Sequence, residues 1–413
     1  MLLYRIATQL YFTAIRLAAL FGNKKAALWV SGRRNLFEDI EGKAAELQGC
    51  YWFHCASLGE FEQGRPVIER IKKELPQQKI VLTFFSPSGY EVRKNYTGVD
   101  AVFYLPADSL ANAKQFINLL KPKVALFIKY EFWQSFLYQL KKQAVPTFLV
   151  SGIFRKEQHF FKWYGKNSRK VFSCFSHLFV QNEESKALLQ NIDVTNVAVI
   201  GDTRFDRVYD ISRLLTTLKP IEDFANGNKL FIAGSTWPAD EKLIAALATS
   251  NMVVGWKFII APHEVNEKRI AELLALFPKA IRYTEAKETD RANAQVMILD
   301  TIGTLSTVYR YAAMSYVGGG FNNGIHNVLE AAVYGHPVLF GPNYKRFAEA
   351  VELIRFKGAV TVSSEKQFLL MFKWIKKNTR WQISMSFFSQ RYVRERAGAT
   401  DKIYNHFKTN GLL

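Results

Sequence analysis

The chain has only three cysteines, Cys50, Cys55 and Cys174, and none is spaced as a zinc site or a redox pair. They read as reduced thiols in a cytoplasmic protein. No GxxxxGK[ST] run occurs, so a P-loop is excluded. There is no DxD pair to hold a metal–diphosphate, no HExxH and no EF-hand loop. Helix-turn-helix, zinc-finger, RRM and KH signatures are absent, which argues against nucleic acid as the partner. No repeat or low-complexity tract stands out. No acid precedes Glu38, and the uncharged run between Arg5 and Arg16 is far too short to span a bilayer.

What is present fits a globular protein with a sizeable core: 413 residues, 49% hydrophobic and 22% charged, enough for two domains. The net charge of +19 favours an anionic partner. Residues 1–21 are mostly apolar, and Arg5, Gln9, Thr13 and Arg16 step by four, four and three into one helical stripe. That pattern suits a helix lying in the membrane interface, with Arg16, Lys24, Lys25, Arg33 and Arg34 toward anionic head groups. The alternative is a core helix of the first domain. Arg16 interrupts the apolar region and no small-residue cleavage site is clear, which argues against a cleaved signal peptide.

Short β-rich runs alternate with helical stretches from Gly49 onward, and the pattern restarts at Lys229 after a polar stretch near residues 207–228. This predicts an α/β protein of two halves, each a parallel sheet wound on both faces. The expected divisions are a basic amphipathic segment (1–35), a first domain (36–207), a second domain (208–386) and a basic C-terminal helix (387–413) returning over the first half.

The most distinctive stretch is Val317–Pro342, VGGGFNNGIHNVLEAAVYGHPVLFGP. It reads as strand, glycine loop, a helix from Asn327 to Tyr334, then another strand. Glycines let backbone approach a ligand, and a helix start offers N–H groups to an anion. Three further loops follow predicted strands: Gly234-Ser235-Thr236, Pro262-His263-Glu264 and Ile302-Gly303-Thr304. Each alone reads as structural; together they point to a nucleotide or another phosphate-bearing ligand. In the first half, Glu60 follows a strand at the start of a helix expected from about residue 61 to Leu75. It is either a cap paired with Ser57 or a general base, ionised by the helix end. Glu131 also follows a strand, as an ion-pair partner or a site residue. Arg204 is a cation suited to an anionic leaving group. Asp202, Asp206 and Asp210 read as a solvated helical face rather than a metal site.

Taken together, these segments resemble the 3-deoxy-D-manno-octulosonic acid (Kdo) transferases, inverting glycosyltransferases of the GT-B type. The likeness runs through ALWVSGRRNLFE, FHCASLGEFEQGRPVI, EFW, VSGIFRKE, VQNEES, VIGDTRFD, AGSTWPADE, APHE, DTIGTL and VGGGFNNGIHNVLEAA, nearly the whole chain. It implies two Rossmann-like domains facing across a cleft, the second binding the CMP part of CMP-Kdo, the first the lipid A precursor. The implied place is the cytoplasmic face of the inner membrane, bound to its anionic surface, with no metal or other cofactor. Residue by residue, it implies Glu60 as general base and Glu131 and Arg204 as transition-state stabilisers. Ser235, Pro262, His263, Ile302, Gly303, Thr304, Gly318, Gly319, Asn327, Val328, Leu329 and Glu330 are the implied CMP-binding set. The chain departs from the family pattern at His263-Glu264, where Arg-His is usual, and at Thr304, where Glu is usual. Arg204 stands where the family has Lys, which keeps charge but not geometry.

Overall fold

The computed structural model describes residues 2–214 and 216–413. Met1 of the amphipathic stretch and Leu215 of the expected inter-domain segment lie outside that range. The chain forms two compact units. The first runs to Asp206 and is completed by Gly398–Leu413; the second is Arg207–Ala397.

The first unit is a seven-stranded, all-parallel sheet: β1 (Tyr51–Cys55), β2 (Ile80–Phe84), β3 (Ala101–Tyr104), β4 (Val124–Ile128), β5 (Thr147–Gly152), β6 (His177–Val180) and β7 (Val197–Val199). Their spatial order is β3-β2-β1-β4-β5-β6-β7. β1, β2 and β4 are buried at every position, as strands covered by helices on both faces must be. Alternate side chains feed two cores: Trp52 and Phe127 join Phe116 and Phe136 on one face, and Tyr51, Phe53 and Ile128 join Ile68 on the other.

The second unit repeats the plan with β8 (Lys229–Thr236), β9 (Trp256–Pro262), β10 (Ile281–Arg282), β11 (Val296–Ile298), β12 (Ala312–Val317), β13 (Val338–Phe340) and β14 (Ala359–Thr361), ordered β10-β11-β9-β8-β12-β13-β14. In each sheet the winding reverses once beside the first strand, at β1/β4 and at β8/β12. Ligands of open α/β sheets bind at the C-terminal ends of the strands flanking that reversal.

The return to the first unit begins later than residue 387. Residues 387–394 continue the helix Thr379–Arg394, whose Met385, Ser389, Tyr392 and Val393 are buried in the second unit. Gly398, at φ 112°, makes the break, a conformation that disfavours a side chain. The helix Ala399–Thr409 then sets Ala399, Ile403 and Phe407 into the first core. Asp206 holds this junction: its carboxylate accepts from the Thr400 N–H and hydroxyl, both at 2.8 Å, and from the Gly398 N–H. The expected solvated face is therefore wrong for two of its three members, since Asp202 and Asp206 are both 6% exposed. Asp206 fixes backbone, and Asp202 pairs with Arg204 from a buried position.

The first helix, Leu2–Leu20, packs on the first unit, as the core-helix alternative expects. Phe12 is buried, stacked on Trp29 and Trp133, and the Tyr4 hydroxyl donates to Asp108 at 2.5 Å. On its outer side Ile6, Leu10, Leu17 and Leu20 stay exposed, the last at 83%. Among the described residues no helix is long and apolar enough to cross a membrane.

Candidate active site

Glu60 and Glu131 leave the two strands that flank the reversal in the first sheet. The helix after β1 starts at Leu58, about three residues earlier than expected, which places Glu60 inside its first turn. Its carboxylate accepts from the N–H groups of Ala56, at 2.5 Å, and Ser57, at 3.2 Å, so the capping box is real. The cap does not decide the charge. Burial pushes the Glu60 carboxyl up to about 7, and the nearby Glu131 charge adds to the rise. The two N–H groups and Lys129 pull it down and lose. The expectation that the helix end would dominate is thus reversed by desolvation. A carboxylate titrating near neutral pH is better matched to proton transfer than an ordinary one.

Glu131 sits in a turn begun by Lys129, whose φ of 64° is rare for a residue with a side chain. The Trp133 indole donates to its carboxylate at 2.5 Å, and the buried His54 ring nitrogen Nε2 lies 3.2 Å away. His54 is in turn 2.9 Å from the Thr83 hydroxyl through Nδ1. A chain of side chains from β2 through β1 therefore fixes Glu131. His54 was not expected from sequence; its signal is a histidine inside an otherwise apolar strand.

Arg204 opens the helix Arg204–Arg213 and is not a bare cation. Its Nε and an amino nitrogen reach Asp202 at 2.9 and 2.7 Å, and its own N–H donates to the same carboxylate. Burial alone would raise the Asp202 carboxyl; Arg204, with Gln63, holds it below its usual value. Gln63 donates to Asp202 at 3.2 Å, and the backbone carbonyl of Gln63 accepts from the Thr203 hydroxyl at 2.6 Å. Arg204 is tied in this way to the helix that carries Glu60.

In the second unit, Ser235 and the Gly318–Gly319 turn leave the strands flanking the reversal, β8 and β12. A side chain at Gly318 would run into the backbone of Ser235 and Thr236, so only glycine lets these loops meet. Ser235 itself has φ 53°. Asp240, not among the residues expected from sequence, ties the loops together. Its carboxylate accepts from the N–H groups of Gly319 and Trp237, both at 2.9 Å, and from the Tyr316 hydroxyl at 2.7 Å. Its signal lies in WPADE, an acid at the third helical position. His263 follows β9 directly and stacks between Trp237 (4.9 Å) and His326 (4.2 Å). Burial lowers His263 and, with the neighbouring His263 charge, takes His326 down to about 4.

The predicted helix from Asn327 is much shorter, only Leu329–Ala332, with Val328 as its cap. Asn327 folds back instead: its carbonyl oxygen accepts from the Leu329 N–H at 3.2 Å and its amide donates to Glu330 at 3.0 Å. Ile302, Gly303 and Thr304 follow β11, further along the sheet, and Ile302 is 87% exposed. Just past this loop, Leu305 and Tyr309 close on Gly234, where no side chain would fit. The structure thus brings Gly318 directly against Ser235 and reaches His263 from Gly319 through His326, with Pro262 ending β9 beside Thr236. The residues Ile302–Thr304 reach the group only through their following helix. No group of three or more metal-ligating side chains occurs among the described residues.

Two parallel sheets, each reversed beside its first strand, make an α/β fold of the GT-B type. The chain is similar to the Kdo transferases. Residues 31–207 match the family described as 3-deoxy-D-manno-octulosonic-acid transferase (kdotransferase). It is 28% identical over 319 residues to the 3-deoxy-D-manno-octulosonic acid transferase of Aquifex aeolicus, covering 76% of this chain and 81% of that one. The Rickettsia bellii protein of the same name is 23% identical over 333 residues, 78% of each chain. Among solved structures, the UDP-GlcNAc 2-epimerase of Neisseria meningitidis bound to UDP-GlcNAc superposes with a TM-score of 0.60 at 16% identity, covering 87% of this chain and 99% of that one. MurG of Acinetobacter baumannii gives 0.53 at 10% identity, with 87% and 99% covered. At such identities the structural likeness is one of fold.

Proposed function

We propose that this protein transfers Kdo from CMP-Kdo to a hydroxyl of a lipid A precursor, with inversion. The carrying observation is Glu60: a carboxylate at the reversal of the first sheet, raised to about 7. As the acceptor oxygen attacks the Kdo anomeric carbon, Glu60 takes its proton. The carbon–oxygen bond to the phosphate breaks, and CMP leaves with the electron pair. Arg204 and Glu131 are assigned to the developing charges of the oxocarbenium-like state, a role that the firm hold on both side chains supports. CMP is a monophosphate, so backbone N–H groups of the second unit and one cation offset its charge without a metal. The direct test incubates purified protein with CMP-Kdo and the lipid A precursor and reads products by mass. An unchanged acceptor rejects the proposal.

For the donor site, Ser235, Pro262, His263, Ile302–Thr304, Gly318–Gly319 and Asn327–Glu330 are assigned to CMP. Asn327→Ala removes the amide that holds Glu330 and is expected to weaken CMP binding about tenfold, as is Glu330→Ala, measured by calorimetry. Wild-type affinity in both variants moves the site elsewhere. Turnover is expected to persist in EDTA; loss there with recovery on magnesium contradicts the metal-free assignment.

The exposed side of the first helix is assigned to an anionic inner-membrane surface. Removing residues 1–21 is a poor test, because Phe12 and Thr8 are buried and Tyr4 holds Asp108. Leu10→Gln with Leu17→Gln alters only exposed positions and is expected to release protein from anionic vesicles with Tm unchanged. Sedimentation equal to wild type rejects the assignment.

A further inference from the structure

Beside Glu131 lies a cavity of about 660 Å³ inside the first unit. Tyr4 and Ala7 of the first helix form one wall, Trp133 the floor next to Glu131, and Phe160 and Val171 the other wall. Its volume is that of an ordinary ligand pocket. Glu131 brings a carboxylate to its lining.

The lining has polar groups, and those nearest Glu131 and on the first helix are already engaged. Tyr4 donates to Asp108 and accepts from the Gln134 N–H at 3.2 Å. Thr8 donates to carbonyls of its own helix, the Trp133 indole donates to Glu131, and the Gln158 side-chain carbonyl accepts from the Arg155 N–H. The surface left for an occupant is mostly apolar, with Ala7, Phe132, Phe160 and Val171 among the lining. A sugar would lose its water there with few hydrogen bonds in return, whereas a hydrocarbon loses nothing.

Both segments that line it also carry exposed apolar residues. The first helix presents Ile6, Leu10 and Leu17 to solvent. The opposite wall belongs to the segment 155–170, where Trp163 is 91% and Tyr164 62% exposed. That segment also carries Arg155, Lys156, Lys162, Lys166, Arg169 and Lys170 against a single acid, Glu157. Exposed aromatics among basic residues suit a bilayer interface with anionic head groups.

We propose that this cavity receives a hydrocarbon chain of the lipid acceptor, aligning that substrate beside Glu131 from the membrane side. The proposal rests on the lipid-acceptor reading above. It assigns the acceptor's acyl chain to Tyr4, Ala7, Phe160 and Val171, and makes acyl chains a determinant of acceptor choice.

The experiment compares the acylated disaccharide acceptor with the same disaccharide stripped of its chains. In the wild type, kcat/KM is expected to favour the acylated form at least about tenfold. Ala7→Trp and Ser168→Trp fill the cavity from its two walls and are expected to bring that ratio close to one, with Tm confirming the fold. A ratio left at its wild-type value in both variants overturns the proposal. A second arm needs no turnover: calorimetric titration with dodecyl maltoside below its micelle concentration. The wild type is expected to take up the alkyl chain, and each variant to lose at least about tenfold in affinity. Equal uptake by wild type and variants overturns the chain site even if Kdo is transferred. Loss of uptake without transfer to either acceptor keeps the chain site and rejects the transferase reading.

Discussion

Glu60→Gln is expected to lose about a hundredfold to ten-thousandfold of transfer rate, the usual cost of removing a positioned general base. The substitution separates two roles that meet at one residue. Glutamine keeps a carbonyl oxygen to accept from the Ala56 and Ser57 N–H groups, so the loss of capping costs about 1 kcal/mol at most. It cannot take a proton. A folded variant that binds CMP normally and turns over slowly assigns the base; a folded variant with ordinary turnover leaves Glu60 a cap alone.

The pH dependence carries the same claim. In the wild type, kcat/KM is expected to rise with pH through about 7, as Glu60 loses its proton. Stability has the opposite sign. The folded state binds this proton more tightly than the unfolded one, so the contribution is full below the ordinary 4.5 and is lost as pH rises through about 7. The difference in Tm, variant minus wild type, is therefore expected to be more positive at pH 8 than at pH 5. A flat difference removes the raised carboxyl, and with it the reason for choosing Glu60 over Glu131.

Asp240→Ala is expected to abolish CMP binding and to destabilise the second unit by about 3 kcal/mol or more. The side chain satisfies the Gly319 and Trp237 N–H groups and the Tyr316 hydroxyl; an orphaned buried donor costs about 1–3 kcal/mol. Its loss unpins the glycine turn after β12 from the helix after β8. Asp240→Asn keeps one carbonyl oxygen and is expected to fall between the two. Chemical denaturation gives the stability and calorimetry the CMP affinity. An Asp240→Ala protein with wild-type values of both removes Asp240 as the organiser of the loops.

Much of the fold is legible in the sequence because it depends on local pattern. Ala312–Val317, Ala101–Tyr104 and Val124–Ile128 are among the short β-rich runs that became strands, since buried parallel strands are nearly unbroken apolar runs flanked by polar loops. Helix starts are less legible. Ser57 with Glu60 three residues on signals a start at Leu58, yet the run of residues after it points to a later start than the structure has. Asn327 resembles a cap, yet besides accepting from Leu329 it bonds Glu330, and the cap position falls to Val328.

What the sequence determined by itself is the plan: two alternating α/β halves, glycine loops after particular strands, an amphipathic basic N-terminus, and motifs specific enough to point to the family. These are matters of residue type and spacing along the chain. What tertiary structure alone decided is the state of each group. Burial beside Glu131 overrides the helix start and raises Glu60. Asp202 and Asp206 share one stretch of chain, yet one becomes a cation holder and the other a clamp on Gly398 and Thr400. His54 and Asp240 gain their roles from neighbours on other strands. Desolvation and long-range hydrogen bonds depend on distances between segments far apart in the chain, and a linear pattern does not contain those distances.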